Sequence, residues 1–280
     1  MRSTQITQER LQLIQTIENL EEQGQFHMPA EQDPPHTELM PNQVDYLLKK
    51  RGSRIKMHLA NFLGDTYFKR LMKKGRLIID GVEGAENLSA LTNGAVLTCN
   101  HFSIADHYIV YHAVKKYLPK KYLHKIIREG NYTGFKGLYG FLFRHCNTLP
   151  LSSNRRTMLN FFSATQTLLK SGETVLIFPE QEMWRNYKKP RPFLIGAFKI
   201  ACKADVPVVP IFITMQDSQR LDEDGCPLQR HTVHIMPAVY PDKTLLDKQR
   251  AEHMQNQVES MYKDKYEQVY KQPLRYACDK

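Results

Sequence analysis

Short β-rich runs alternate with helical runs from residue 76 onward, and this alternation limits the possible folds more than any other feature of the chain. The β-rich runs lie at 77–79, 95–98, 123–127, 175–178, 208–214 and 231–239. Apolar residues at helical spacing occupy stretches between them, near 105–117, 155–170 and 194–204. Strands that alternate with helices form a sheet whose two faces are covered by helices. We therefore predict an α/β fold with a central mixed, largely parallel sheet flanked by helices and an N-terminal helical extension.

The two ends of the chain differ from this central region. Residues 5–23 carry apolar side chains at helical spacing, and a helical pattern returns between 42 and 74. The stretch after residue 242 is polar and also has a helical pattern. The predicted organisation is an N-terminal helical, membrane-surface extension over 1–75, an α/β domain over 76–242 and a C-terminal helical segment over 243–280.

Charge narrows the classes of partner. The chain has 39 Lys and Arg against 29 Asp and Glu, a formal net charge of +10. Such an excess favours polyanions, which include nucleic acid, anionic lipid headgroups and phosphorylated small molecules. A basic nucleic-acid-binding or lipid-binding protein without catalysis is therefore one alternative. Signatures of helix-turn-helix, zinc-finger or RNA-binding modules are missing from the sequence, so we predict no nucleic-acid partner.

Hydropathy and cysteine usage bear on the compartment. Polar residues follow Met1 and Arg2 where a secretory signal would have its apolar region, and no apolar run reaches the about 18 residues of a membrane span. The five cysteines are widely spaced without a C-x-x-C pair, which indicates reduced thiols and no zinc site. We predict a cytoplasmic protein that associates peripherally with the inner face of a membrane.

A histidine and an aspartate stand at the end of the second β-rich run. His101 follows this run, and Asp106 begins the next helical pattern. In open α/β sheets, ligands bind at the carboxyl ends of the strands. Four intervening residues let Asp106 reach the imidazole, and a carboxylate on one ring nitrogen leaves the other to take a proton from a hydroxyl. The spacing predicts His101 as a general base oriented by Asp106.

Two other interpretations of these residues stay open. Ser103 and Asp106 also fit a helix start, with Ser103 as N-cap and Asp106 near the positive helix end, which would make His101 a rim histidine. A metal site could instead use His101, Asp106, His107 and His112. Asp106 and His107 are adjacent, so they point in different directions on a helix, and we predict no metal.

Further polar residues lie at other predicted strand and helix ends. Glu180 and Gln181 follow a strand that Pro179 stops, where they could bind hydroxyls or stand in a solvated loop. Arg155 and Arg156 near a helix start could bind a phosphate, or lie only at the surface. Cations around Trp184 and Tyr187 indicate a phosphate-attracting or interfacial loop, or a solvated charged face. They are Arg185, Lys188, Lys189 and Arg191.

Several of these segments match known motifs in order. Residues 81–88 look like a lead-in segment, residues 100–106 match Asn-His-x-x-x-x-Asp, Phe178-Pro179-Glu180 matches the start of Phe-Pro-Glu-Gly, and residues 206–211 match a fourth motif. The chain thus resembles the glycerolipid acyltransferase superfamily, whose best-known members are lysophosphatidic acid (1-acylglycerol-3-phosphate) acyltransferases. The resemblance covers residues 76–215, about half the chain, and it makes 76–242 the acyltransferase domain.

The resemblance implies roles and partners. It makes His101 the base and Asp106 its orienting partner, and it gives Glu180 a part in binding the glycerol acceptor. An arginine, Arg155 or Arg156, would hold the acceptor phosphate. The acceptor would be a lysophospholipid, and the acyl donor would be acyl-CoA or an acyl carrier protein as co-substrate, with no cofactor.

Two departures from the family pattern concern the acceptor side. Gln181 stands where the family continues Gly-Thr-Arg, and the nearest following arginine is Arg185. The second motif usually reads Phe-Ile-Asp-Arg, whereas this chain has residues 151–153 as Leu-Ser-Ser before Arg155 and Arg156. We keep Gln181 and Arg185 among the substrate-binding candidates, and the departures bear on the identity of the acceptor.

Two basic segments could meet an anionic membrane. Residues 53–74 form a basic amphipathic pattern that suits a bilayer surface, or a helix packed on the domain with its charges in water. A second positive strip could contact lipid, donor phosphates or an acidic carrier protein. It comprises Lys115, Lys116, Lys120, Lys121, Lys125 and Arg128.

Overall fold

The computed structural model describes residues 6–32, 35–89, 91, 93–118 and 122–279. The strands within these described residues form one seven-stranded sheet, in the spatial order β1-β7-β6-β2-β5-β3-β4. The strands are β1 (Ile78–Glu83), β2 (Ala95–Cys99), β3 (Leu123–Ile127), β4 (Thr148–Pro150), β5 (Thr174–Ile177), β6 (Val208–Leu221) and β7 (Pro227–Ile235). β6 and β7 pair antiparallel, and the other neighbouring strands pair parallel. The predicted mixed, largely parallel sheet is confirmed.

Helices cover both faces of the sheet, as predicted. They are α1 (Gln8–Glu22), α2 (Arg51–Lys73), α3 (Asp106–Val114), α4 (Glu129–Thr133), α5 (Gly137–His145), α6 (Arg155–Lys170), α7 (Gly196–Ala204) and α8 (Asp247–Tyr270). α2 starts later than the predicted pattern, because the Asp45 carboxylate accepts hydrogen bonds from the N–H groups of Lys49 and Lys50 in the turn before it. α4, α5 and β4 have no counterpart among the predicted elements.

The central strand β2 lies between β5 and β6, with all five of its residues buried. Its continuous apolar sequence follows from this position, since a parallel strand covered on both faces needs apolar residues on both. Leu97 faces a core layer that includes Ile109 of α3, and Val96 faces the opposite layer, which includes Phe161 of α6. The carboxyl ends of β2, β3, β4 and β5 meet at one rim, which is where the sequence places its candidate residues.

The terminal segments contribute to the same core. Tyr46, which precedes α2, and Tyr262 of α8 are buried in the layer that contains Phe161. The Tyr262 hydroxyl donates to the carbonyl of Ile211 in β6 at 2.7 Å. The predicted boundaries at 75/76 and 242/243 stay a prediction, while the hydrophobic layer is shared by residues from all three segments.

Candidate active site

The side chains of His101 and Asp106 meet at the carboxyl end of β2. The Asn100 amide first ties the strand end to β6, donating to the Ile213 carbonyl at 3.0 Å and accepting from the Ile213 N–H at 2.9 Å. The next residue, His101, places its Nδ1 at 2.6 Å from Oδ2 of Asp106. The predicted proximity of the imidazole and the carboxylate is therefore present, and the His101 side chain is 22% exposed.

The Asp106 carboxylate is held by the turn between β2 and α3. Its side chain is 1% exposed, and Oδ2 also accepts from the N–H groups of Phe102 at 3.2 Å and Ser103 at 3.3 Å. Oδ1 accepts from the N–H of His107 at 2.6 Å. The backbone of the turn therefore fixes the position of both carboxylate oxygens.

The start of α3 combines two of the sequence interpretations. The helix begins at Asp106 with Ala105 as its N-cap, so Ser103 is not the N-cap. The Asp106 carboxylate lies near the positive end of the helix and also contacts His101. One carboxylate thus stabilises the helix start and orients the imidazole.

The imidazole plane is fixed by an aromatic neighbour. Phe178, which follows β5, stacks on His101 with ring centroids 4.2 Å apart and an interplanar angle of 19°. Because Nδ1 faces Asp106, Nε2 is the ring nitrogen placed to exchange a proton with a substrate. A carboxylate on Nδ1 stabilises the imidazolium that such an exchange forms.

The metal-site alternative has less geometric support. No group of three or more His, Cys, Asp and Glu that could hold a metal ion occurs in the described part of the chain. Burial, together with the nearby charge of Lys125, lowers the pKa of His107 to about 4, as expected for an imidazole packed within the fold. His107 also packs edge-on against Phe68 of α2, which places it in a structural contact.

Glu180 lies beside His101 and Asp106 but inside the protein. Its side chain is 2% exposed, and Oε2 accepts from the backbone N–H of His101 at 3.1 Å. Oε1 accepts from the N–H of Arg191 at 3.0 Å. Gln181 is exposed and adopts a left-handed backbone with φ of 68°. The acceptor-binding roles predicted for both stay predictions, and the Glu180 carboxylate is already used within the protein.

Two of the three predicted arginines lie at the start of α6, and the third lies in the loop after Glu180 and pairs with an aspartate. Arg155 and Arg156 are exposed at the start of α6, whose N-cap Asn154 accepts from the N–H groups of Arg156 and Thr157. The preceding strand β4 is separated from β2 by β5 and β3, a distance of about 14 Å at ordinary strand spacing. Arg185 instead binds Asp224 at 2.7 Å, near the β6–β7 turn. Their phosphate-binding roles stay predictions.

The segment after Glu180 contains buried residues that the sequence did not identify. The prediction of an interfacial loop is wrong for Trp184 and Arg191, whose side chains are fully buried. The other cations of this loop also have partners, since Lys188 binds Asp217 and Lys189 binds Glu21. The sequence signal for this burial was a tryptophan in the same segment as the arginine. The carboxylate that pairs with Arg191 lies eleven residues earlier, outside any local pattern.

The predicted amphipathic helix is α2, and it presents apolar residues to solvent. Ile55, Leu59 and Phe62 are exposed along it, and Phe62 is 67% exposed. α2 also lies against α3, because Phe68 stacks on Tyr108 at 4.3 Å. None of the described helices is both long enough and apolar enough to span a membrane.

Two members of the predicted second basic strip take part in the fold. Lys125 lies in β3, where burial lowers the pKa of its amine. Arg128 binds both carboxylate oxygens of Glu182, at 2.5 and 2.6 Å. Lys120 and Lys121 lie outside the described residues. Lys125 and Arg128 thus serve the fold, and the contact of the strip with lipid, donor phosphates or a carrier protein stays a prediction.

Comparisons with known proteins bear on the family and on the fold. Residues 81–214 match the family model described as Acyltransferase. BAT2, a chloroplastic 1-acyl-sn-glycerol-3-phosphate acyltransferase of Brassica napus, is 30% identical over 133 residues, 46% of this chain and 36% of that protein. The chain therefore matches little more than a third of that relative's length. The crystal structure of PlsC, a 1-acyl-sn-glycerophosphate (LPA) acyltransferase of Thermotoga maritima, has a TM-score of 0.55 at 20% identity, over 82% of this chain and 87% of that chain. This last likeness shows the fold.

Proposed function

We propose that this chain, whose residues 81–214 match the Acyltransferase family model, transfers a fatty acyl group from a thioester to a hydroxyl of a lysophospholipid. The observation that carries the proposal is the 2.6 Å contact between His101 Nδ1 and Asp106 Oδ2 at the rim of the sheet. A 1-acylglycerol-3-phosphate is the acceptor that we infer from the names of the two relatives. The donor is acyl-CoA or an acyl carrier protein.

The chemistry follows from the two ring nitrogens of His101. Nε2 takes the proton of the acceptor hydroxyl as its oxygen attacks the thioester carbonyl. The carbon–sulfur bond then breaks, the ester remains on the acceptor, and the thiolate leaves with a proton returned by the imidazolium. Asp106, fixed by three backbone N–H groups, stabilises that imidazolium without changing position.

Access to a lipid acceptor is supported by the surface around the site. Ile104, three residues after His101, is exposed in the turn that holds Asp106. The apolar residues Ile55, Leu59 and Phe62 lie on α2, the helix that packs on α3. Basic residues on α2 and the net charge of +10 complement an anionic bilayer. We infer that α2 rests on the membrane surface from which the acceptor enters.

The activity is tested with purified protein, a panel of lysolipids and both kinds of donor. We expect an acylated lysophospholipid product from wild type and a loss of at least about 100-fold in kcat for His101→Ala, because the base is removed. Circular dichroism and thermal unfolding check that the variant is folded. Equal turnover by wild type and a folded His101→Ala would exclude the proposed role of His101.

Membrane contact is tested separately by flotation with anionic vesicles. Phe62→Ser removes an exposed ring from α2, so we expect weaker vesicle binding and unchanged thermal stability. The matched control is Leu246→Ser, which removes an apolar side chain of comparable exposure just before α8. Equal loss of binding in both variants would contradict a docking role for α2.

A further inference from the structure

The backbone of His101 is held on both sides by the segment that follows β5. The His101 N–H donates to Glu180 Oε2 at 3.1 Å. Its carbonyl accepts from the N–H of Trp184 at 3.1 Å and from the Arg191 guanidinium at 3.4 Å. The next carbonyl, that of Phe102, accepts from the N–H of Asn186 at 3.0 Å. The segment that follows the neighbouring strand β5 thus fixes the peptide units on either side of the histidine.

Arg191 is the centre of this arrangement. Its side chain is fully buried and binds Glu180 Oε2 through Nε at 3.2 Å and Nη2 at 3.0 Å. The guanidinium also donates to the carbonyls of Phe26 and Glu182, and it lies 4.6 Å from the Trp184 ring centroid. A buried ion pair is costly to desolvate, so general stability is a weak reason for having one. The planar, rigid guanidinium of Arg191 is suited to fixing several oxygens in one geometry.

We propose that Glu180 and Arg191 act as a positioning pair that holds the backbone of His101 so that Nδ1 meets Asp106 and Nε2 faces the acceptor. This inference rests on the proposed acyl transfer. It gives Glu180 a role through His101 and not through the acceptor, because its carboxylate is buried and both oxygens are engaged. A displacement of about 1 Å in a catalytic group can cost about 100-fold in rate.

The kinetic test compares Glu180→Gln with wild type. The substituted amide has one acceptor oxygen, so its N–H₂ group must face either the His101 N–H or Arg191, and the backbone shifts. We expect kcat to fall about tenfold or more while the KM for the acceptor changes less than about threefold. The matched control is Lys188→Ala, which breaks an ion pair of the same loop that does not touch His101, and kcat should be unchanged. A raised acceptor KM with unchanged kcat would overturn the positioning role.

Two further variants separate positioning from folding. Glu180→Leu with Arg191→Met removes both charges, so no unpaired charge stays buried. If the neutral pair does not fold, Arg191→Lys is used instead, because it keeps the charge. An ammonium cannot reach Glu180, Phe26 and His101 together, so this variant should also disturb the position of His101. Either folded variant should show the kcat loss of Glu180→Gln, and a wild-type kcat in either would overturn the proposal.

A spectroscopic measurement makes the result independent of turnover. The His101 Nδ1 proton should give a downfield proton resonance, assigned by its disappearance in His101→Ala. We expect this resonance to shift or broaden in Glu180→Gln and to stay in place in Lys188→Ala. An unmoved resonance in folded Glu180→Gln would refute positioning. Absence of acyl transfer by wild type with every donor and acceptor would refute the proposed function instead.

Discussion

Replacing Asp106 by asparagine tests how much of the proposed catalysis depends on one negative charge. The substitution keeps the size of the side chain but removes the charge that lies 2.6 Å from His101 Nδ1. Asp106 accepts four hydrogen bonds, from His101 and from the N–H groups of Phe102, Ser103 and His107. An asparagine amide has one oxygen and one N–H₂ group, so at least one of these donors must face another donor.

The expected loss can be worked out from this geometry. Opposite unit charges about 4 Å apart attract by about 4 kcal/mol at an effective dielectric constant of about 20. Three backbone N–H groups bind the Asp106 carboxylate whether the His101 imidazole is neutral or protonated, and they reduce the attraction that is left for the imidazolium. We therefore expect Asp106→Asn to lower kcat by a factor between about 100 and about 1000. The misplaced amide should also lower the free energy of unfolding by about 1–3 kcal/mol.

Steady-state acyl transfer, with urea unfolding of the same samples, measures both effects. Ser103→Ala is the control, because its hydroxyl accepts from the Ala105 N–H of the same turn, at 3.1 Å, and the hydrogen bond from the backbone N–H of residue 103 to Asp106 remains. We expect its kcat to stay within about threefold of wild type. A folded Asp106→Asn that also stays within about threefold would refute an electrostatic role for this carboxylate.

Three further substitutions test the geometry elsewhere. Burial lowers the pKa of His107 to about 4, so the unfolded chain binds more protons below pH 6.5 and stability should fall by up to about 3 kcal/mol between pH 6.5 and 4. Urea midpoints across this range should fall less steeply for His107→Gln, and an identical slope would contradict the assignment. Asn154→Ala removes the cap of α6 and should cost about 1 kcal/mol in urea unfolding; no change would mean that the cap is replaced by water. Arg185→Ala should leave the acceptor KM within about twofold of wild type, since Arg185 binds Asp224. A large rise in this KM would mean that Arg185 binds the acceptor.

The sheet, and the position of the candidate site at its edge, could be predicted because the sequence patterns that indicate them are local. β2 and β5 are short apolar runs followed within three residues by a polar side chain, and parallel strands bring such ends to one edge of the sheet. The contact between His101 and Asp106 spans five positions within one turn, so spacing alone limits where the two side chains can lie. The helical extension was visible for a similar reason, since apolar residues recur along α1 and α2.

The burial of Arg191 could not be predicted from spacing. Basic residues in a run are usually solvated, and only the tertiary structure places Glu180, Trp184 and the Phe26 carbonyl around this guanidinium. The same holds for Arg128, whose partner Glu182 lies on a different loop. α5 was missed because it has only nine residues and two of them, Gly137 and Gly140, are unfavourable in a helix.

Chemical rescue of His101→Ala measures the role of the imidazole most directly. The substitution leaves a space between Phe178 and Asp106 that free imidazole can enter. We predict that kcat for transfer to a lysophospholipid is at least about 100-fold below wild type without imidazole, and rises with imidazole concentration for this variant but not for wild type. Wild-type turnover by folded His101→Ala in the absence of imidazole would contradict the account.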